Sequence, residues 1–106
     1  MSNRVEQIKK LVKESCAKYL QTITNGTSII TITDATVSPD LKKGTIFISV
    51  LPTDGEESAL NFLKRHRNDM REDLRKNMNS RNIPFLDVEI DQGEKNRQKI
   101  DDLLRQ

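Results

Sequence analysis

Between residues 28 and 50 the side chains alternate every second position and the alternation is interrupted once by proline, which commits this part of the chain to two adjacent strands. Residues 28–37 are rich in β-branched types, with Ile30 and Ile32 on one side and Thr31 and Thr33 on the other. Ser38-Pro39-Asp40 breaks the run, because proline has no N–H for a ladder and favours a turn. A second strand is predicted from about Leu41, where Ile46, Ile48 and Val50 share a face, and a hairpin is the simplest pairing. A sheet with one such face needs something to cover it, and a helix serves.

The flanking sequence supplies helices. Val5, Ile8, Leu11, Val12, Cys16, Tyr19, Leu20 and Ile23 follow a spacing of three and four, which predicts an amphipathic helix that leaves Arg4, Lys9, Lys10 and Lys13 on its outer surface. Ser2 or Asn3 can cap its start, and Asn25-Gly26 can end it. After the second strand, Pro52-Thr53-Asp54-Gly55 makes a turn and Glu56, Glu57 and Ser58 have the character of an acidic first helical turn. Ala59, Leu60, Phe62 and Leu63 form the apolar face of this second helix, and Met70, Leu74 and Met78 continue at intervals of four. The polar hexapeptide Lys64-Arg65-His66-Arg67-Asn68-Asp69 lies between the two sets and predicts a kink or break. Over residues 83–91, Leu86, Val88 and Ile90 alternate with Asp87, Glu89 and Asp91, a third strand with one wet face. Beyond Gly93, Ile100, Leu103 and Leu104 suffice for a short C-terminal helix that docks weakly or stays mobile. The predicted plan is α+β, with helices on one face of a three-stranded sheet. Residues 1–92 are expected to form the domain and 93–106 a helix or tail.

With 106 residues, 34% of them hydrophobic, one tyrosine, three phenylalanines and no tryptophan, the chain can build one thin core. No apolar run reaches membrane-spanning length, and the basic start lacks the apolar run of a signal peptide, so a cytoplasmic location is expected; a monomer is expected as well. The single Cys16 has no disulfide partner within the chain and is expected to pack as a small apolar residue. An enzyme needs a nucleophile with a base, paired carboxylates in a cleft or a metal cluster. The one histidine, His66, lies in the basic stretch, away from the apolar stripe that holds Cys16. The four glycines are isolated and form no phosphate loop, so neither a nucleotide nor another cofactor is indicated. Asp87, Glu89 and Asp91 could suggest a cation, but alternate residues on a solvated strand explain them more simply.

Charge is the positive signal. The net value of +2 is small, yet residues 1–20 carry five basic and two acidic groups and residues 64–81 carry seven and three, while residues 34–63 and 82–106 are net acidic. Arg67, Arg71 and Arg75 recur every four residues, so on one helix their guanidinium groups share a stripe beside Met70, Leu74 and Met78. Lys64, Arg65, Lys76 and Arg81 extend it, and such charges without aromatic platforms suit phosphate contacts better than base stacking. The opposing explanation is a solvated helix in which Glu72 and Asp73 pair with the arginines. Like charges at spacing four repel and no carboxylate lies on the same stripe, which favours nucleic-acid binding.

Four stretches in order also resemble one family. After the Arg4-centred basic helix comes Thr31-Ile32-Thr33-Asp34-Ala35-Thr36-Val37-Ser38-Pro39-Asp40-Leu41, then residues 43–51, then Met70-Arg71-Glu72-Asp73-Leu74, then Ile83-Pro84-Phe85-Leu86 with Asp91 beyond. Together they resemble the ribosome-binding factor A family over nearly the whole chain. The resemblance implies a type II KH-like domain in which a kink between helices 2 and 3 replaces the glycine-rich RNA clamp. It also implies a non-enzymatic factor that binds the immature small (30S) ribosomal subunit and its 16S ribosomal RNA, promotes late maturation and rRNA processing, and supports growth in the cold. The basic helices, Arg4 and Arg71 among them, would then face RNA phosphates. This chain departs from the family at the kink, where a small-residue Ala-x-Gly is usual and His66-Arg67-Asn68 stands; Asn68 is a residue that tolerates positive φ. The alternative function is a protein-interaction module that uses a sheet edge or the C-terminal helix.

Overall fold

A computed structural model describes residues 2–23, 28–78, 82–93 and 103–104, with the side chains of residues 2 and 3 outside that set. The order is α1 (Ser2–Thr22), β1 (Ile29–Val37), β2 (Lys43–Leu51), α2 (Glu56–Arg65), α3 (Arg67–Asn77) and β3 (Phe85–Ile90), with a single 3-10 turn at Thr53–Gly55 before α2. The α+β plan is therefore as the periodicities predict. Asn25-Gly26 and Ile100 lie outside the described residues, while Leu103 and Leu104 are exposed. Among the described residues no helix is long and apolar enough to cross a membrane.

The sheet has the order β1-β2-β3, with β1 antiparallel and β3 parallel to the central β2. A parallel neighbour needs a crossover, and α2 with α3 provides it. On β2 the alternation is complete: Gly44, Ile46, Ile48 and Val50 are buried between less buried neighbours. β1 departs from simple alternation. Ile30 and Ile32 pair with Val50 and Ile48, and the register then shifts so that Asp34 meets Phe47 and Ala35 meets Ile46. Without that bulge the inward parity would carry Asp34 into the core; the extra residue turns Ala35 inward, where it is fully buried.

The hairpin loop is held by its own side chains. The Ser38 hydroxyl donates to Asp40 Oδ1 at 2.6 Å, the Lys42 N–H donates to the same oxygen at 3.1 Å, and the Lys43 N–H donates to Ser38 Oγ at 3.0 Å. The Ser38 hydroxyl foremost, and then the Lys42 N–H, hold the Asp40 carboxyl below its ordinary pKa. Leu41 takes a φ of 61°, the one positive value at a non-glycine position among the described residues. That left-handed turn delays β2 from the expected start near Leu41 until Lys43 and costs on the order of 1 kcal/mol.

Ile8, Val12 and Cys16 of α1, Ala59 and Leu63 of α2, and Met70, Leu74 and Met78 at α3 bury themselves with Ala35, Ile46, Ile48, Val50, Leu86 and Val88 of the sheet. Leu63 and Met70 are seven residues apart, two helical turns, so both face the core although the helix breaks between them. The break falls at His66, with φ −97° and ψ 5°. This bridge conformation is open to any L-residue, so no glycine is required. Asn68 is therefore an ordinary residue of α3, and the positive φ considered for it is not used. The Lys64 carbonyl at the end of α2 accepts the Arg67 Nε–H at 3.1 Å.

Candidate nucleic-acid interface

Helical geometry divides the surface of α3 into flanks with different chemistry. Met70, Leu74 and Met78 face the core, Asp69 and Asp73 face α1, and Arg67 and Arg71 face β3. α1 runs antiparallel to α3. Ser15 Oγ donates to Asp73 Oδ2 at 3.4 Å, and one turn further along α1 the Tyr19 hydroxyl lies 3.1 Å from His66 Nδ1 and 3.5 Å from Asp69 Oδ2. His66 also meets the Phe62 ring edge-on, with centroids 4.8 Å apart. Burial, then Asp69, pushes the Tyr19 phenol upward. Burial, reinforced by Asp73, pushes the Cys16 thiol to about 12, so Cys16 is no thiolate nucleophile at neutral pH.

On the other flank the three arginines lie in sequence as the spacing predicts, but each is engaged. Arg67 Nη1 lies 3.3 Å from Asp87 Oδ1 of β3. Arg71 donates from Nε and Nη2 to the Ile83 carbonyl at 3.3 and 3.0 Å, and its guanidinium carbon sits 4.0 Å above the centre of the Phe85 ring. Arg75 Nε pairs with Glu72 Oε2 at 3.4 Å. The expectation that no carboxylate shares the stripe is thereby corrected. Glu72 reaches Arg75 at spacing three, and Asp87 arrives from a strand that sequence spacing does not place beside Arg67. Asp73, considered as another pairing partner, turns to Ser15 instead. The exposed ion pairs are worth only about 0–1 kcal/mol, so a phosphate can compete for Arg67 and Arg75.

The other basic residues of the described helices spread over α1, α2 and α3. Lys9 lies 3.7 Å from Asp34 of β1, at the edge opposite β3. Arg4, Lys10 and Lys13 of α1 are exposed, as are Lys64 and Arg65 in the last turn of α2 and Lys76 in the last turn of α3. No ion pair involves any of these six among the described residues. Arg81 lies outside the described residues. The two basic segments of the sequence thus reach opposite sheet edges, Lys9 meeting Asp34 of β1 and Arg67 meeting Asp87 of β3.

The structure adds residues that charge counting passes over. Phe85 is 64% exposed beside the arginine flank, which corrects the expectation of charges without an aromatic platform. Lys43 is its partner across β2 and β3, and Lys42 accepts the Phe85 N–H through its carbonyl at 2.9 Å. The sequence held a signal: Phe85 shares parity with Asp87 and Glu89, so an aromatic ring was bound for the wet face.

The family model described as Ribosome-binding factor A matches residues 4–104. The chain belongs to the ribosome-binding factor A family. It is similar to the ribosome-binding factor A of Methylobacterium radiotolerans, at 29% identity over 109 residues, covering 98% of this chain and 77% of that protein. It is also similar to that of Thermodesulfovibrio yellowstonii, at 29% identity over 105 residues, covering 97% and 89%. The fold is similar to the crystal structure of ribosome-binding factor A from Thermus thermophilus, with a TM-score of 0.73 at 18% identity over 81% of this chain and 93% of the other. A Thermus thermophilus ribosome-binding factor A homology model fitted into a cryo-EM map of its complex with the 30S subunit gives a TM-score of 0.67 at 18% identity over 78% and 90%. The fold is thus the KH-like one of this family, and within it His66 occupies the break between α2 and α3.

Proposed function

We propose that this chain is a non-enzymatic, cytoplasmic assembly factor that binds the immature small ribosomal subunit and its 16S ribosomal RNA during late maturation and rRNA processing. The observation that carries the reading is the family match across residues 4–104. The 30S complex of the Thermus protein supports the choice of partner. Residues 1–92 act as the RNA-binding domain, with 93–106 as its C-terminal helix or tail. Exposed Arg4, Lys10, Lys13, Lys64, Arg65 and Lys76 contact phosphates, and Arg67 and Arg75 exchange their carboxylate partners for RNA oxygens on docking. Lys9 and Arg71 remain largely with their internal partners and contribute through the local potential.

The test is co-sedimentation with small subunits, whole ribosomes and free 16S RNA at two salt concentrations. Small-subunit association that weakens steeply with salt is expected, because each phosphate neutralised releases counterions. No association with small subunits at low salt would refute the proposal. Against strand capture at β3 stand Arg67 on the Asp87 side chain and Arg71 on the Ile83 carbonyl just before the strand.

A further inference from the structure

We infer that Phe85 is a stacking platform for an unpaired nucleotide base, framed by Arg71, Lys42 and Lys43, an inference that rests on the RNA-binding reading above. A phenylalanine at 64% exposure on a strand whose neighbours on that face are Asp87 and Glu89 contributes little to the core. Its ring nevertheless has a defined neighbour. The Phe85 N–H is bonded to the Lys42 carbonyl, and the Arg71 guanidinium covers one face at 4.0 Å while Nε and Nη2 are anchored on the Ile83 carbonyl. With a cation on one face and most of the residue still open, the ring can take a flat π-system on its other face at small entropic cost.

The surroundings select the ligand. Lys43 is the register partner of Phe85 and Lys42 precedes it; both are exposed and make no ion pair among the described residues. Arg71 Nη1 is not used in the bonds to Ile83. An aromatic ring with a guanidinium over one face and two exposed lysines on the adjoining segment fits a base together with its flanking phosphates, whereas Asp87, two residues away, is already paired with Arg67. Such a platform accepts a base that is not in a helix, because only an unstacked base offers its face.

The test measures binding of the full chain to small subunits and, separately, to a short fluorescent oligoadenylate. Phe85→Ala and Phe85→Leu are each expected to weaken both by roughly tenfold, with Phe85→Tyr near the parent. The log–log salt slope should stay constant, since no charge is removed. Phe85→Trp gives a single tryptophan in a chain that has none, and oligoadenylate should quench its fluorescence by stacking. Circular dichroism melts verify that the variants fold. Unchanged affinity in Phe85→Ala, equal affinity of the Leu and Tyr variants, or an unquenched tryptophan overturns the inference. So does a loss confined to subunits with oligoadenylate binding intact, which would assign Phe85 to a ribosomal protein. Absence of subunit binding by the parent chain would instead strike the proposed function, while quenching by oligoadenylate would still report on the platform.

Discussion

α1 and α3 lie side by side on the same sheet and are both basic in sequence, yet their positive charges have different local roles. On α1, Arg4, Lys10 and Lys13 are exposed, and among the described residues only Lys9 pairs with a carboxylate, Asp34. On α3, Arg67, Arg71 and Arg75 each have a partner, and two of them join the helix to β3 or the segment entering it. A basic helix can therefore present charge outward or use it to fasten an edge strand. The number of lysines and arginines does not distinguish the two.

That contrast can be broken or sharpened by measurement. The largest effect should come from what the helices share: Leu74→Ala empties a fully buried site beneath α3 and should cost about 2–5 kcal/mol in urea unfolding. A cost under about 1 kcal/mol would mean that α3 is not anchored through the core and that its arginines hold it instead. Arg71→Ala should come next, at about 1.5–3 kcal/mol, because a charged double donor to Ile83 is lost. Arg71→Lys should recover only part of this, since an ammonium cannot reproduce the fork or lie flat on Phe85.

The seam between the helices gives a pH test. The folded chain keeps the Cys16 thiol protonated to about 12, whereas an unfolded chain releases that proton near the ordinary value of 9.0. Above that pH the unfolded state binds fewer protons, so stability falls as pH rises, by at most about 1.4 kcal/mol per pH unit for one group. Cys16→Ala should flatten this part of the curve; an unchanged slope would place the cause elsewhere. A double-mutant cycle on Arg67 and Asp87 should give a coupling of only about 0.2–1 kcal/mol, as befits a pair at 46% and 53% side-chain exposure. Smallest of all, Lys10→Ala with Lys13→Ala should change stability by less than about 0.5 kcal/mol. The same pair should lower the salt slope of subunit binding, so a stability loss without a change in slope would erase the difference between α1 and α3.

Much of the frame was legible because it follows from local periodicity. Ile8, Val12 and Cys16 at spacing four, Ile46, Ile48 and Val50 at spacing two, and the hexapeptide around His66 each announced an element or a break that the structure contains. The bulge in β1 was not legible, because Asp34 is kept out of the core by a register set on β2. Nor was the conformation of the break, where Asn68 was the locally plausible residue and His66 takes the turn, held by Tyr19 from another helix.

The sequence by itself determined the order of elements, the faces that must be buried and the basic character of α1 and α3, since each depends on neighbours three or four residues away or two. Only the tertiary structure decided the partners of Arg67 and Arg71 and which aromatic ring is available. Asp87 meets Arg67 and Ile83 meets Arg71 across twenty and twelve residues of chain. Such pairings exist only after the crossover has laid β3 beside β2, and they turn a uniform run of arginines into one flank with assigned partners.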